Sequence, residues 1–191
     1  MNIVRIKITL ENVEPVVTRT LMVPLDIRLD RLHLTIQAAM GWHNTHLYEF
    51  TAGSTVWCVP HLSWSDGPLP AKKLTLLDVL EDTGAQTLHH LYDFGDCWEH
   101  RIRIGQMSDP EPGEFYPKLI NASGRCPPED VGGFPGYEYL LEALADPAHP
   151  DHEEMIEWHS DSFDPNAVPI GELKLEVLKL ANKWKTRKTP K

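Results

Sequence analysis

Cysteine is scarce in this chain: Cys58, Cys97 and Cys126 are the three thiols in 191 residues, far apart and without a C-x-x-C pair. An odd, dispersed set argues against a disulfide framework and for a reducing, cytoplasmic setting. Long apolar runs are also missing, and none approaches the roughly 18 residues a membrane helix needs. The opening MNIVRIKITLENV breaks its apolar pattern with Arg5 and Lys7, so it reads as a strand rather than a signal peptide. No Walker loop, G-x-G-x-x-G or G-x-S-x-G occurs, which disfavours nucleotide cofactors and the serine-hydrolase elbow.

Positive charge is short as well: 18 Lys and Arg stand against 28 Asp and Glu, a net charge of −10. The imbalance is uneven. From Lys174 to Lys191 seven Lys or Arg face one Glu, leaving 11 basic and 27 acidic residues in the rest of the chain. Such a body repels phosphate backbones, so the main domain is not expected to bind nucleic acid. The basic end either touches an anionic partner or complements the dipole of a terminal helix.

What is present is a globular pattern. Ile3, Ile6, Ile8 and Leu10 lie in a first β-rich run over 2–10, a second covers 16–24, and Asn12 to Pro15 form the turn between them. Leu29, Leu32, Ile36 and Met40 recur at helical spacing, with Gly41 at the C-terminal cap and Trp42 positioned to fold back. His46–Thr51 and Thr55–Pro60 read as strands around Ala52-Gly53-Ser54. A loop follows from His61 to Ala71, and a short helix starts at Thr75 with Asp78 at capping-box spacing. Ten of the 16 prolines fall between Pro110 and Pro169, which predicts loops broken by short elements: helices near Pro135 and over 151–158, then an amphipathic helix from Ile170 to Trp184. The expectation is one α+β domain over 1–184, an antiparallel sheet of about six or seven strands with helices packed on one face, followed by a basic tail at 185–191.

One stretch, LYDFGDCWEHRIRI (91–104), carries two carboxylates, an indole and an imidazole. Gly95-Asp96 suits a two-residue type II′ hairpin. That turn would set Asp93 opposite Trp98, Leu91 opposite His100 and His89 opposite Ile102, placing Asp93 and His100 within reach on one face. The pair could be an acid/base couple, part of a metal site, or a structural hydrogen bond. His46 would join the same face from a neighbouring strand.

In Cys126-Pro127-Pro128-Glu129-Asp130, before Val131-Gly132-Gly133, two prolines stiffen a loop while two glycines permit close backbone approach. Glu129 and Asp130 are thereby presented either to a hard cation or basic partner, or to a helix end or arginine. Cys126 as a nucleophile would need an adjacent histidine or helix N-terminus. DPAHPDHEEMIEWHSDSFD (146–164) has seven acidic residues and His149, His152 and His159, but no i, i+4 histidine pair, and reads as a solvated acidic helix.

GWHNTHLYEF (41–50), YDFGDCWEH (92–100), CPPEDVGGFPGYEYLLEAL (126–144) and FDP (163–165) resemble, in order and spacing, the plasmid pRiA4b ORF-3-like family. The resemblance implies an α+β fold, a link to plasmids and mobile elements, and no assigned activity. Thr18 stands where relatives often have an aromatic, and Val131 where many have a second cysteine, so a metal site on that cysteine pair is closed to this chain. Some relatives carry a resolvase label. A serine resolvase needs a nucleophilic serine beside arginines and a basic DNA-reading helix, and this acidic chain has no such helix pattern.

The expected function is a cytosolic binding or accessory module whose polar pocket is built from Asp93, Trp98, His100, Glu129, Asp130, His46 and Cys126, with an unidentified ligand or protein as partner and no membrane. No cofactor is expected, but a divalent metal on Asp93, His100, Glu129 and Asp130, with or without His46, would make the same pocket a metal-dependent hydrolase. The third reading is a nucleic-acid accessory protein acting through the basic tail.

Overall fold

In β1 (Ile3–Leu10) Val4, Ile6, Ile8 and Leu10 are buried while Arg5 and Lys7 face solvent, the alternation of a sheet covered on one side. The computed structural model describes residues 2–58, 69–159 and 163–185. β1 pairs antiparallel with β2 (Thr18–Pro24) on one edge and with β7 (Trp98–Ser108) on the other. The remaining strands are β3 (Tyr48–Ala52), β4 (Thr55–Cys58), β5 (Leu69–Pro70), β6 (Thr87–Tyr92) and β8 (Lys118–Ser123). Together they form one sheet in the order β5-β4-β3-β6-β7-β1-β2-β8, antiparallel except for the β4–β5 pair.

The architecture is the expected α+β one, with eight strands. The additions are the two-residue β5 and β8, which lies within the proline-rich stretch. Leu119 is the one fully buried side chain of β8, so the strand shows no alternation strong enough to announce itself.

The helices cover the face that carries the buried side chains. α1 (Leu29–Met40) lies over it: His33 reaches His90 of β6, and the Ala39 carbonyl accepts from Arg19 of β2. Gly41 ends the helix at φ 88°, and the amides of Gly41 and Trp42 both bond the Gln37 carbonyl, so Trp42 does fold back. α2 (Leu76–Thr83) opens with the reciprocal Thr75/Asp78 capping box. α3 (Gly133–Ala145) packs with α4 (His152–His159), and α5 (Ile170–Trp184) packs on α1 and β8. The tail from 186 onward lies outside the described residues, and with it the support for a tail-mediated nucleic-acid role.

The hairpin differs from expectation in a consequential way. Tyr92 pairs with Trp98 and His90 with His100, so the loop spans five residues rather than two. Asp93 (φ 58°) and Cys97 (φ 56°) both adopt the left-handed conformation, and the Cys97 amide bonds the Asp93 carbonyl. The register moves by one residue, which turns β6 over. Leu88, His90 and Tyr92 face the core with Trp98, His100 and Ile102, and His89 is exposed on the opposite side.

Candidate functional site

Three loops meet at one end of the sheet. The first joins α1 to β3 and carries His43, Asn44, Thr45 and His46, so His46 precedes β3 rather than lying in it. The second is the hairpin loop 93–97, and the third is the Pro127–Gly132 segment before α3. Backbone contacts lock them together. The Asp93 amide bonds the Leu47 carbonyl at 2.9 Å, joining the first two. The Gly132 amide bonds Asp96 Oδ2 at 3.2 Å, joining the second and third. A Cβ on Gly133, which sits at φ 68°, would stand 2.5 Å from the Asp96 carbonyl oxygen, so only glycine permits this approach.

Within that frame Glu129 bridges two loops and a strand. One carboxylate oxygen accepts from the Tyr92 hydroxyl at 2.6 Å, and the other accepts from the His43 amide and lies 2.7 Å from His43 Nδ1. Burial opposes ionisation of Glu129, but the bonds from Tyr92 and His43 outweigh it and hold the carboxyl below its usual range. Burial, with Glu129 as neighbour, raises the Tyr92 phenol to about 12.

His46, Asp93 and Asp130 converge beside this lock. His46 Nε2 lies 2.9 Å from Asp130 Oδ1 and 3.6 Å from Asp93 Oδ2. The ligand atoms of all three residues fall within 4.8 Å of one another, the one such His/Cys/Asp/Glu group among the described residues. Asp93 is nearly buried, while the Asp130 side chain is 69% exposed.

Asp130 also lines a cleft of about 980 Å³ between the C-terminal half of α1, α5 and the Cys126–Asp130 loop. Gln37, Arg19 and Cys126 belong to the cleft's lining and are themselves buried. Arg19 is held by carbonyls: Nε donates to Ala39 at 2.6 Å, and Nη1 to Thr18, Ser123 and Gly124 at 2.8–3.0 Å. Both polar atoms of the Gln37 amide are buried and, among the described residues, have no hydrogen-bond partner. Burial pushes the Cys126 thiol up to about 12, which removes it as a nucleophile near neutral pH.

The expected Asp93–His100 pair does not form, because the shifted register takes Asp93 off the strand. His100 is fully buried and belongs to a chain of imidazoles instead: His33 Nδ1 is 3.0 Å from His90 Nε2, and His90 Nδ1 is 3.2 Å from His100 Nδ1. Assigned from their partners, three neutral rings donate in one direction: His33 Nε2–H to Asn44 Oδ1, His90 Nε2–H to His33, and His100 Nδ1–H to the His90 carbonyl. Burial drives His33 and His100 down to about 4, and His90 well below the ordinary histidine value. Trp98 is likewise a core residue, tilted against Trp42 at 5.8 Å. Trp98 and His100 therefore leave the candidate pocket, and Glu129, with oxygens committed to Tyr92 and His43, leaves the donor group. His149 and His152 serve local structure, accepting from the Asp151 amide and bonding the Ala143 carbonyl.

Sequence reasoning missed His43, Tyr92 and Gln37. His43 and Tyr92 lie inside the quoted motif strings, but no spacing rule pairs them with Glu129. Gln37 sits on an ordinary helical face, and only the absence of a partner in three dimensions marks it out.

Comparison with known proteins places the chain. Residues 2–172 match the family model described as plasmid pRiA4b ORF-3-like protein. The uncharacterized protein y4hQ of Sinorhizobium fredii is 49% identical over 184 residues, covering 96% of this chain and 94% of that one. A crystal structure of the protein of unknown function MM3350 from Methanosarcina mazei Go1 superposes with a TM-score of 0.81 at 30% identity, covering 90% of this chain and 97% of that one.

Proposed function

The chain belongs to the plasmid pRiA4b ORF-3-like family, and from its site we propose that it works as a cytosolic binding module, taking a ligand with an amide edge, most simply a short peptide segment, into the cleft between α1 and α5. The observation that carries this reading is Gln37. Gln37 lines the cleft, and among the described residues neither the donor nor the acceptor of its buried amide has a partner. Leaving such a group unmade costs about 1–3 kcal/mol, which a ligand's own donor and acceptor would offset. Around it, Leu173, Leu180 and Phe163 supply apolar wall, and Glu129 locks the mouth loop in place. Clefts with mostly apolar walls and few fixed polar groups are built for recognition.

The test is panning of a random-peptide phage library against the wild-type chain, with Gln37→Leu as the control. The substitution keeps the volume and removes the amide. We expect enriched peptides that bind wild type and lose at least about tenfold in affinity on the variant, while the variant itself unfolds at equal or higher urea concentration. Peptides that bind both proteins equally, or no enriched peptide at all, would overturn the reading.

The rival, a metal-dependent hydrolase, is favoured by one observation: His46, Asp93 and Asp130 converge next to the cleft mouth. Its candidate base Glu129 already accepts from Tyr92 and His43.

A further inference from the structure

The His46–Asp93–Asp130 convergence is not made by the three side chains themselves. Backbone locks bring their loops together: the Asp93 amide on the Leu47 carbonyl, the Gly132 amide on Asp96, and the close packing of Gly133 on the Asp96 carbonyl. The fold therefore imposes two carboxylates and an imidazole on one small volume. Among the described residues neither carboxylate has a Lys or Arg partner; both face the His46 imidazole.

His46 Nε2 stands at ion-pair distance from Asp130, but the contact is not a hydrogen bond. Nε2 is enclosed by protein, lies 2.9 Å from Asp130 Oδ1, and still makes no hydrogen bond to it. The ring nitrogen is misaligned with the nearer oxygen, and at 3.6 Å it is too far from the second. An imidazole that approaches two carboxylates without bonding either has its in-plane lone pair left for a third body. Ligand atoms around a tetrahedral ion with bonds of 2.0–2.2 Å stand roughly 3.4 Å apart. The separations of 2.9 and 3.6 Å bracket that figure.

We propose that His46 Nε2, Asp93 Oδ2 and Asp130 Oδ1 bind one divalent first-row transition ion, with zinc the expected occupant. The donor set selects the ion. Calcium takes six to eight oxygens and magnesium avoids imidazole, whereas one imidazole with two carboxylates suits zinc and its neighbours. Outer contacts orient the ligands: the Gly95 amide donates to Asp93 Oδ1 at 2.9 Å and leaves Oδ2 facing His46. Three protein ligands leave at least one coordination position, on the exposed Asp130 side that opens to the cleft. The ion then offers a ligand in the cleft an anchoring point for a carboxylate or carbonyl oxygen.

The site is independent of the peptide reading, because the ion is assayed with no peptide present and Gln37 is not a ligand. Chelator-treated, untagged full-length protein is titrated with zinc by calorimetry and with cobalt(II) by its visible absorption. Asp130→Asn and Asp93→Asn are compared with wild type. Asparagine tolerates the left-handed backbone that both aspartates adopt and keeps the acceptor for Gly95. Expected are one ion per chain, cobalt d–d bands of a low-coordinate site, and losses in each variant beyond the about 10–100-fold that an outer partner's removal costs. Circular dichroism and urea midpoints establish that each variant is folded. Absence of stoichiometric binding by wild type overturns the proposal, as does binding that survives both substitutions, which would assign the ion to other histidines.

Discussion

The Tyr92 hydroxyl donates to Glu129 across 2.6 Å, tying the end of a central strand to the proline-stiffened loop. Tyr92 also stacks on Trp42, whose indole N–H bonds the Pro127 carbonyl at 2.9 Å. Strand, α1 terminus and loop are thus joined by one aromatic pair and two hydrogen bonds.

Tyr92→Phe isolates the polar half of this junction, since the ring and its stacking remain. The bond to ionised Glu129 contributes about 1.5–3 kcal/mol, and the bond the hydroxyl accepts from the Thr45 amide goes with it, so we expect a loss of at least that size in urea denaturation at pH 7. Glu129 titrates below its usual range with Tyr92 as a main reason, so its contribution is present above the unfolded carboxyl pKa and lost as pH falls through the folded one. The variant should therefore show a shallower fall in stability below about pH 4.5. A variant as stable as wild type at pH 7 would show that the loop is held by other contacts.

Gly133→Ala tests the lock between the hairpin and the loop before α3. The new Cβ meets a carbonyl oxygen at 2.5 Å, and the φ of 68° disfavours any L side chain. Left-handed strain alone costs about 1–2 kcal/mol, and the clash adds to it. We expect a loss of about 2 kcal/mol or more, together with weaker zinc binding because Asp130 is displaced. Unchanged urea midpoints would mean that the two loops are not pressed together.

Where local rules and global packing agreed, the fold was legible. The alternation of β1, the Gly41 cap and the Thr75/Asp78 box are all decided within a few residues of chain, and each stands as read. The hairpin was not decided locally. Gly95-Asp96 has the chemistry of a two-residue turn, yet the Asp93 amide finds its acceptor in Leu47, on a different loop. That tertiary bond holds Asp93 in the left-handed region and lengthens the turn. With a side-chain period of two, one residue of slip exchanged His89 and Leu91 for His90 and Tyr92 on the core face. The candidate site inherits the same lesson. Glu129 and Asp130 were visible as polar groups on a stiff loop, and Asp93 and His46 as strand residues, but which of them meet depended on that register. Gln37 carries no local signal at all.

The buried histidine chain makes the acid limb of stability the sharpest prediction. His33, His90 and His100 are neutral in the folded protein, with His33 and His100 lowered to about 4 and His90 lower still. In the unfolded chain each takes a proton near pH 6.5. Between these values the unfolded state binds more protons than the folded one, so stability rises with pH. Equivalently, stability present at pH 7 drains away as pH falls below about 6.5, and for His33 and His100 the loss levels off once pH passes their folded values. Each histidine contributes a slope of roughly 1 kcal/mol per pH unit in that window, well above where carboxylates begin to titrate. Urea midpoints measured from pH 7.5 to 4.5 should therefore decline steeply from about pH 6. His90→Phe should flatten the decline, because it deletes one titrating ring. Its midpoint at pH 7 should drop as well, since His33 Nδ1 and the His90–His100 contact lose their partner. A wild-type profile that stays flat down to pH 5 would mean that the three rings accept protons in the folded state, and with it the neutral, one-directional chain would fall.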